Sequence, residues 1–417
     1  MRRKLVVVGN GMAGMRTVEE LLKIAPDLYD ITVFGAEPYG NYNRIMLSPV
    51  LCGEKTIPEI MINDRDWYAQ HGITLHAGPD KQVVRIDRRQ RRVYAQDGTE
   101  AQYDRLLLAT GSHPFIIPVP GHELEGVIAF RDIADVEAML AKARSHSRAV
   151  VIGGGLLGLE AANGLRQQGM QVTVVHNAPV LMNRQLDATA SQLLQASLEA
   201  RGLRFKMAAS TAAILDDGNG HCRALTFDDG EEIAADLVVM AVGIRPNVEL
   251  ARSCGLYCER GILVNDTLQT FDPAIYAIGE CVQHRGELFG LVAPIWDQAK
   301  VCANHLASLG LGIYKHQIAA TKLKVTGIDL FSAGVFEPDA DCEEILLKDP
   351  KRGIYKKVVL KDNRVLGAVL YGDTKDGSWY FQLIKDQTPV DGFRDALLFS
   401  QASLPLTAAN EAGAIAA

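Results

Sequence analysis

The chain lacks paired cysteines. Its seven cysteines stand singly at 52, 222, 254, 258, 281, 302 and 342, with no Cys-x-x-Cys among them. An odd, scattered set builds neither a disulfide framework nor a four-thiolate metal site, so no metal is expected and a reducing compartment fits. Long apolar runs are missing too. None reaches the roughly 20 residues of a membrane span, and the N-terminal run Leu5–Val8 stops at Gly9, too soon for a secretory signal. A soluble cytoplasmic protein with no membrane partner is expected. A basic stripe is also absent: the formal net charge is −7, which argues against nucleic acid as a partner. The one basic run, RRQRR at 88–92, lies between the strand-like VVRID and VYAQ and reads as a solvated hairpin turn.

What is abundant is glycine, with 38 residues in 417. That length exceeds one ordinary core and fits two or three domains. KLVVV (4–8) reads as a buried strand, GNGMAG as a turn, Met12 to Ile24 as an amphipathic helix and ITVF (31–34) as a second strand. The same order recurs where AVVIGGG leads into LLGLEAANGLRQQ and then QVTVV. Each copy is followed at a distance by an Asp-Gly hairpin cue and a strand ending in glycine: QDGTEAQYDRLLLATG and DDGEEIAADLVVMAVG. Two related βαβ domains, one inserted in the other, explain the duplication.

In the first copy Gly9, Gly11 and Gly14 have the Gly-x-Gly-x-x-Gly spacing. The first permits the tight turn, the second lets backbone approach a pyrophosphate, and the third lets helix and strand pack closely. Met12 and Ala13 then open a helix whose free N–H groups face the phosphates, and Glu37 stands where a ribose would be bound. The second copy has Gly153, Gly155 and Gly158, with Leu156 and Leu157 at the helix start. Its second strand ends at His176, where an NAD-selective site usually carries an acid. The missing carboxylate permits NADPH beside NADH, and Arg184 is the nearest cation for a 2′-phosphate. One tightly held redox cofactor and one exchangeable hydride carrier would account for two such sites, and a flavin suits the first role.

RLLLATGSHP, AVGIRPN and TFDPAIYAIGEC resemble signatures of the flavoprotein family with two dinucleotide-binding domains, the fold of glutathione-reductase-like enzymes. That resemblance, over residues 1 to about 310, implies an α/β fold of two Rossmann-like domains. It implies FAD beside Ala109, Thr110 and Gly111, with Gly279 and Glu280 at the ribityl chain and Gly243 near the NAD(P)H site. ITVFGAEPYGNYNRIMLSPVLCGEK, RQLD and ATKLKVTGIDLFSAG look like the flavin module of the NAD(P)H nitrite reductase large subunit. GAVLYGDTKDGSWYFQLIKD looks like the small rubredoxin-reductase C-terminal domain that follows it. The domains expected are 1–120 with 245–313 for FAD, 121–244 for NAD(P)H, 314–403 as an α+β domain and 404–417 as a flexible tail.

The resemblance also implies the function: an FAD-dependent NAD(P)H oxidoreductase passing electrons to a nitrate or nitrite reductase component, an iron–sulfur protein or a rubredoxin. The scattered cysteines do not supply the iron–sulfur ligation of the longer relatives, so this chain alone is not expected to reduce nitrite. Arg44 and Ser48 fall in the loop that runs along the flavin ring, or else cap the short helix that follows. Trp296, at the start of a helix aimed at the flavin, lines the pocket or packs in the core. Rival readings are a single-cysteine peroxide or disulfide reductase using Cys52, a rubredoxin or ferredoxin reductase, and a flavin-binding sensor or scaffold. The resemblance implies a cysteine closer to the serine in the single-cysteine enzymes, whereas here Pro49, Val50 and Leu51 stand between Ser48 and Cys52, and a free cysteine is commonly a small buried hydrophobe.

Overall fold

The computed structural model describes residues 2–315, 320–325, 327–399 and 401. The expected tail, 404–417, lies outside the described residues. The chain divides into two compact units. One comprises Met1–Phe115, Arg131–Val136 and Gly243–His316; the other comprises Ile116–Phe130, Glu137–Val242 and Gln317–Ala417.

The first unit is built on a five-stranded parallel sheet. Its strands run in the order Ile275–Ala277, Arg105–Leu108, Arg3–Val8, Tyr29–Gly35 and Thr74–Ala77. A parallel strand covered on both faces must be apolar throughout. Accordingly Leu5 to Val8 and Leu106 to Leu108 are all buried. Helix Met12–Ile24 turns Met15, Val18 and Leu21 inward and packs against helix Val292–Leu306. A three-stranded antiparallel meander, Val83–Asp87, Arg92–Ala95 and Glu100–Gln102, comes just before strand Arg105–Leu108 in the chain. The basic run turns between its first two strands, and Arg88 pairs with Asp272 at 2.8 Å.

The second unit repeats the plan. Its parallel sheet has the order Val127–Ala129, Leu237–Met240, Arg148–Ile152, Gln171–Val175 and Arg204–Lys206. A meander of Thr211–Asp216, Cys222–Phe227 and Glu232–Ala234 occupies the equivalent place in the chain. One difference separates the copies. The outermost strand beside Arg105–Leu108 comes late in the first copy, at 275–277, whereas the one beside Leu237–Met240 comes ahead of the glycine motif in the second, at 127–129.

The C-terminal part of the second unit is a five-stranded antiparallel sheet in the order Ala320–Val325, Ile328–Gly334, Arg364–Tyr371, Ile354–Lys361 and Glu343–Asp349. Helix Gly377–Asp386 sets Trp379, Tyr380, Leu383 and Ile384 against Val358, Leu360, Ala368 and Leu370. Among the described residues no helix is long and apolar enough to cross a membrane.

Candidate dinucleotide sites

In the first unit the three glycines of the motif do three different things. Gly9 has φ +113°, and a Cβ there would lie 2.0 Å from the carbonyl oxygen of Ala109. A Cβ on Gly14 would stand 2.6 Å from the Gly9 oxygen, whereas one on Gly11 would meet nothing within 4 Å. The outer two are thus required by the fold, and the middle one leaves open space at a helix start. Gly11 is the N-cap of Met12–Ile24 with no side-chain cap and no acid in the first turn. The N–H groups of Met12 and Ala13 therefore stay available to an anion. These residues fit the pyrophosphate of a dinucleotide.

The other expected residues of this site gather at the same ends of the parallel strands. The Ala109–Gly111 turn is held by Asn247, whose Nδ2 donates to the Thr110 oxygen at 2.8 Å while Thr110 Oγ1 donates to the Asn247 oxygen at 2.9 Å. Gly279, at φ +84°, lies against Ala13, a Cβ there coming within 2.9 Å of the Ala13 methyl. Its N–H donates to the buried Gln298 Oε1 at 2.8 Å. Glu280 accepts from Ser112 Oγ at 2.7 Å and pairs with the Arg131 guanidinium. Glu37 accepts from the Tyr42 hydroxyl at 2.7 Å and pairs with Arg44 at 2.6 Å, and Arg44 also donates to the Arg131 carbonyl at 2.6 Å. Two carboxylate–guanidinium pairs, Glu37–Arg44 and Glu280–Arg131, are thus joined through the Arg131 carbonyl within the first unit.

Arg131 and Asn247 were not singled out in the sequence reading. Asn247 lies in the quoted AVGIRPN, so a signal existed. Arg131 had none, because its partners are distant in the chain. Ser48 is buried inside helix Leu47–Leu51, whose cap position is Met46, so of its two expected roles the cap of this helix does not hold. Asn43 caps the preceding turn, its side chain accepting from the Ile45 N–H. Trp296 faces helix Met12–Ile24, with the Arg16 guanidinium 5.4 Å from its ring centroid. Cys52 closes helix Leu47–Leu51, its backbone N–H donating to the Ser48 oxygen at 2.9 Å.

The second unit repeats the glycine geometry. Gly153, at φ +124°, would bring a Cβ within 2.3 Å of the Ala241 oxygen, Gly158 within 2.0 Å of the Gly153 oxygen, and Gly155 near nothing. Helix Leu156–Gln167 also begins at an uncapped glycine with no acid in its first turn, and Leu157 is exposed there. His176 Nδ1 accepts from the Gly154 N–H at 3.2 Å, which leaves the ring proton on Nε2. Burial pushes the His176 pKa below its usual value, against weaker opposing effects from Val180 and Asn183. Burial thus favours the neutral ring. Arg184 is exposed in the loop that follows. Gly243 falls in the first unit, where its carbonyl accepts from the Phe115 N–H at 2.9 Å.

In five of the other cysteines burial disfavours the thiolate. Burial pushes the thiols of Cys222 and Cys258 up to about 11 and raises those of Cys254, Cys281 and Cys302.

Residues 3–304 match the family described as pyridine nucleotide-disulphide oxidoreductase, and residues 320–388 match the rubredoxin NAD+ reductase C-terminal domain. The chain belongs to the pyridine nucleotide-disulphide oxidoreductase family, and FAD and NAD(P)H are its cofactors. It is 49% identical over 389 residues to a nitrite reductase [NAD(P)H] of Bacillus subtilis (strain 168), across 93% of this chain and 48% of that protein. It is 42% identical to an assimilatory nitrate reductase electron transfer subunit of the same organism, across 97% of this chain and 52% of the relative. The chain thus spans about half the length of these curated relatives. Among solved structures, one of a covalent putidaredoxin reductase–putidaredoxin complex superposes with a TM-score of 0.84 at 26% identity, covering 96% of each chain.

Proposed function

We propose that the chain is an electron-transfer reductase of nitrate or nitrite assimilation in the cytoplasm, drawing electrons from NADH or NADPH and delivering them to a separate redox protein. The observation that carries this reading is the duplicated glycine cradle. Each of two parallel sheets ends in an uncapped helix start with one open glycine, so one site can retain a cofactor while the other exchanges its own. Bound in the first unit, a flavin supplies hydride acceptance and one-electron release.

The protein's part is placement. Gly11, Met12 and Ala13 would take the FAD pyrophosphate, Glu37 its ribose and Glu280 its ribityl hydroxyls, with Arg44, Ser48 and Trp296 flanking the ring system. Arg131, drawn against Glu280, adds a cation beside the phosphates. Gly155, Leu156 and Leu157 would take the NAD(P)H pyrophosphate, and His176 and Arg184 would border its adenosine ribose. The acceptor assignment is supported by the two Bacillus relatives and by the redox-protein partnership in the putidaredoxin reductase structure.

The test uses the purified protein loaded with FAD under anaerobic conditions. NADH or NADPH should be oxidised rapidly with ferricyanide or a small iron–sulfur protein as acceptor. Nitrite supplied alone should remain. Consumption of nitrite without an added protein, or no coenzyme oxidation with any acceptor, would overturn the proposal.

A further inference from the structure

The loop between His176 and Asp187 is fastened at both ends. At its start, His176 accepts from the Gly154 N–H and the Met182 N–H donates to the Gly154 oxygen at 2.9 Å. The loop therefore closes over the glycine turn from one side. A Cβ on Gly154 would lie 2.7 Å from the His176 ring and 2.8 Å from Leu181, which shows how tight that closure is. At its end, Asp187 caps helix Ala188–Glu199 by accepting from the Ala190 N–H at 2.9 Å. Ser191 on the same helix accepts from the Leu181 N–H at 2.7 Å. Exposed Arg184 is strung between these anchors.

The second anchor is completed by the C-terminal sheet. The Tyr355 hydroxyl donates to Asp187 Oδ2 at 2.6 Å in a buried setting. Lys357 Nζ stands 3.4 Å from the same oxygen and 2.7 Å from Glu344. Helix capping by Asp187 engages only its other oxygen, so the tyrosine and lysine are not needed for the cap. What they fix is the direction of the carboxylate, and with it the exit of the loop. A hydrogen bond to a buried charged acceptor is among the stronger ones available for this purpose.

We propose that Tyr355 is a positioning residue for the nicotinamide coenzyme. Acting through Asp187, it sets the course of residues 176–187 and so the affinity of the adenosine end. The C-terminal domain thereby tunes the coenzyme site of its own unit. This rests on the reading of Gly153–Gly158 as the NAD(P)H cradle.

The experiment is calorimetric titration of the FAD-loaded protein with NADP+ and NAD+, beside steady-state assays with ferricyanide. Tyr355→Phe should raise the Kd for the preferred coenzyme about five- to tenfold and raise KM in step, with kcat at saturation within about twofold. Tyr371→Phe is the comparison. Its hydroxyl meets Ser197 Oγ at 2.6 Å and the Leu193 oxygen at 3.2 Å, further along the same helix. It should lower the Tm while leaving Kd unchanged. An unchanged Kd in Tyr355→Phe, or an equal rise in Tyr371→Phe, overturns the proposal. Failure of the underlying site reading looks different: Gly155→Val would bind coenzyme as tightly as the unaltered protein.

Discussion

The backbone N–H of Gly154 donates to Nδ1 of His176 at 3.2 Å, so the residue at the end of the second Rossmann strand is spent on the glycine turn. A carboxylate in its place could accept from the same N–H and, on the proposed reading of the site, would add a negative charge beside the ribose. His176→Asp should therefore raise KM for NADPH about tenfold relative to NADH, the scale of one like-charge contact at a partly solvated site. Arg184→Ala should weaken NADPH and leave NADH nearly unchanged. Paired KM measurements with ferricyanide check both.

The glycines of each cradle should separate by phenotype. Gly9→Ala and Gly14→Ala each force a Cβ into backbone, and Gly9 adds a positive φ; both should cost about 1–3 kcal/mol or more of stability. Gly11→Ala has open space and an extended backbone at φ −87°. The variant should unfold within about 0.5 kcal/mol of the parent apoprotein yet retain far less FAD. Denaturant melts of flavin-stripped protein and flavin-to-protein absorbance ratios distinguish the two classes.

Cys52 closes a short helix beside the expected flavin loop, and no redox role is assigned to it. Anaerobic reductive titration should take up about two electrons per flavin, as a flavin alone does, in both the parent and Cys52→Ser. An additional pair lost in the variant would mark Cys52 as a second redox centre.

His176 also sets a pH dependence. Its pKa is lowered by burial in the folded state, so below the unfolded value of about 6.5 the unfolded chain binds the extra proton. Its contribution to stability is complete above that pH and declines as pH falls toward the folded pKa, by at most about 1.4 kcal/mol per pH unit. Denaturant melts between pH 7.5 and 5 should show this slope, and His176→Asn should lack it.

Both glycine turns, both Asp-Gly hairpins and the turn at the basic run were legible in the sequence because each is written over a few consecutive residues. Glycine spacing, Asp-Gly turns and uninterrupted apolar strands are local signals. What escaped was long-range. Thr110 meets Asn247 across 137 positions, Arg131 meets Glu280 across 149, and Tyr355 meets Asp187 across 168. No periodicity encodes such pairs, since they follow from how the sheets fold. The start of the short helix was likewise not legible from residue type: its cap position is Met46 rather than Ser48, and Asn43 opens the turn before it.

Helix Ala188–Glu199 begins with its own aspartate, as helix Arg65–Gln70 begins with Asp64. Helices Met12–Ile24 and Leu156–Gln167 begin with bare glycine. On the proposed reading a bound dinucleotide stands where a side-chain cap would be in the latter pair, so the first turn of each is satisfied by a cofactor. The protein's resistance to heat and proteolysis should consequently track the supply of flavin and pyridine nucleotide around it, making its lifetime a readout of the same metabolites it works with.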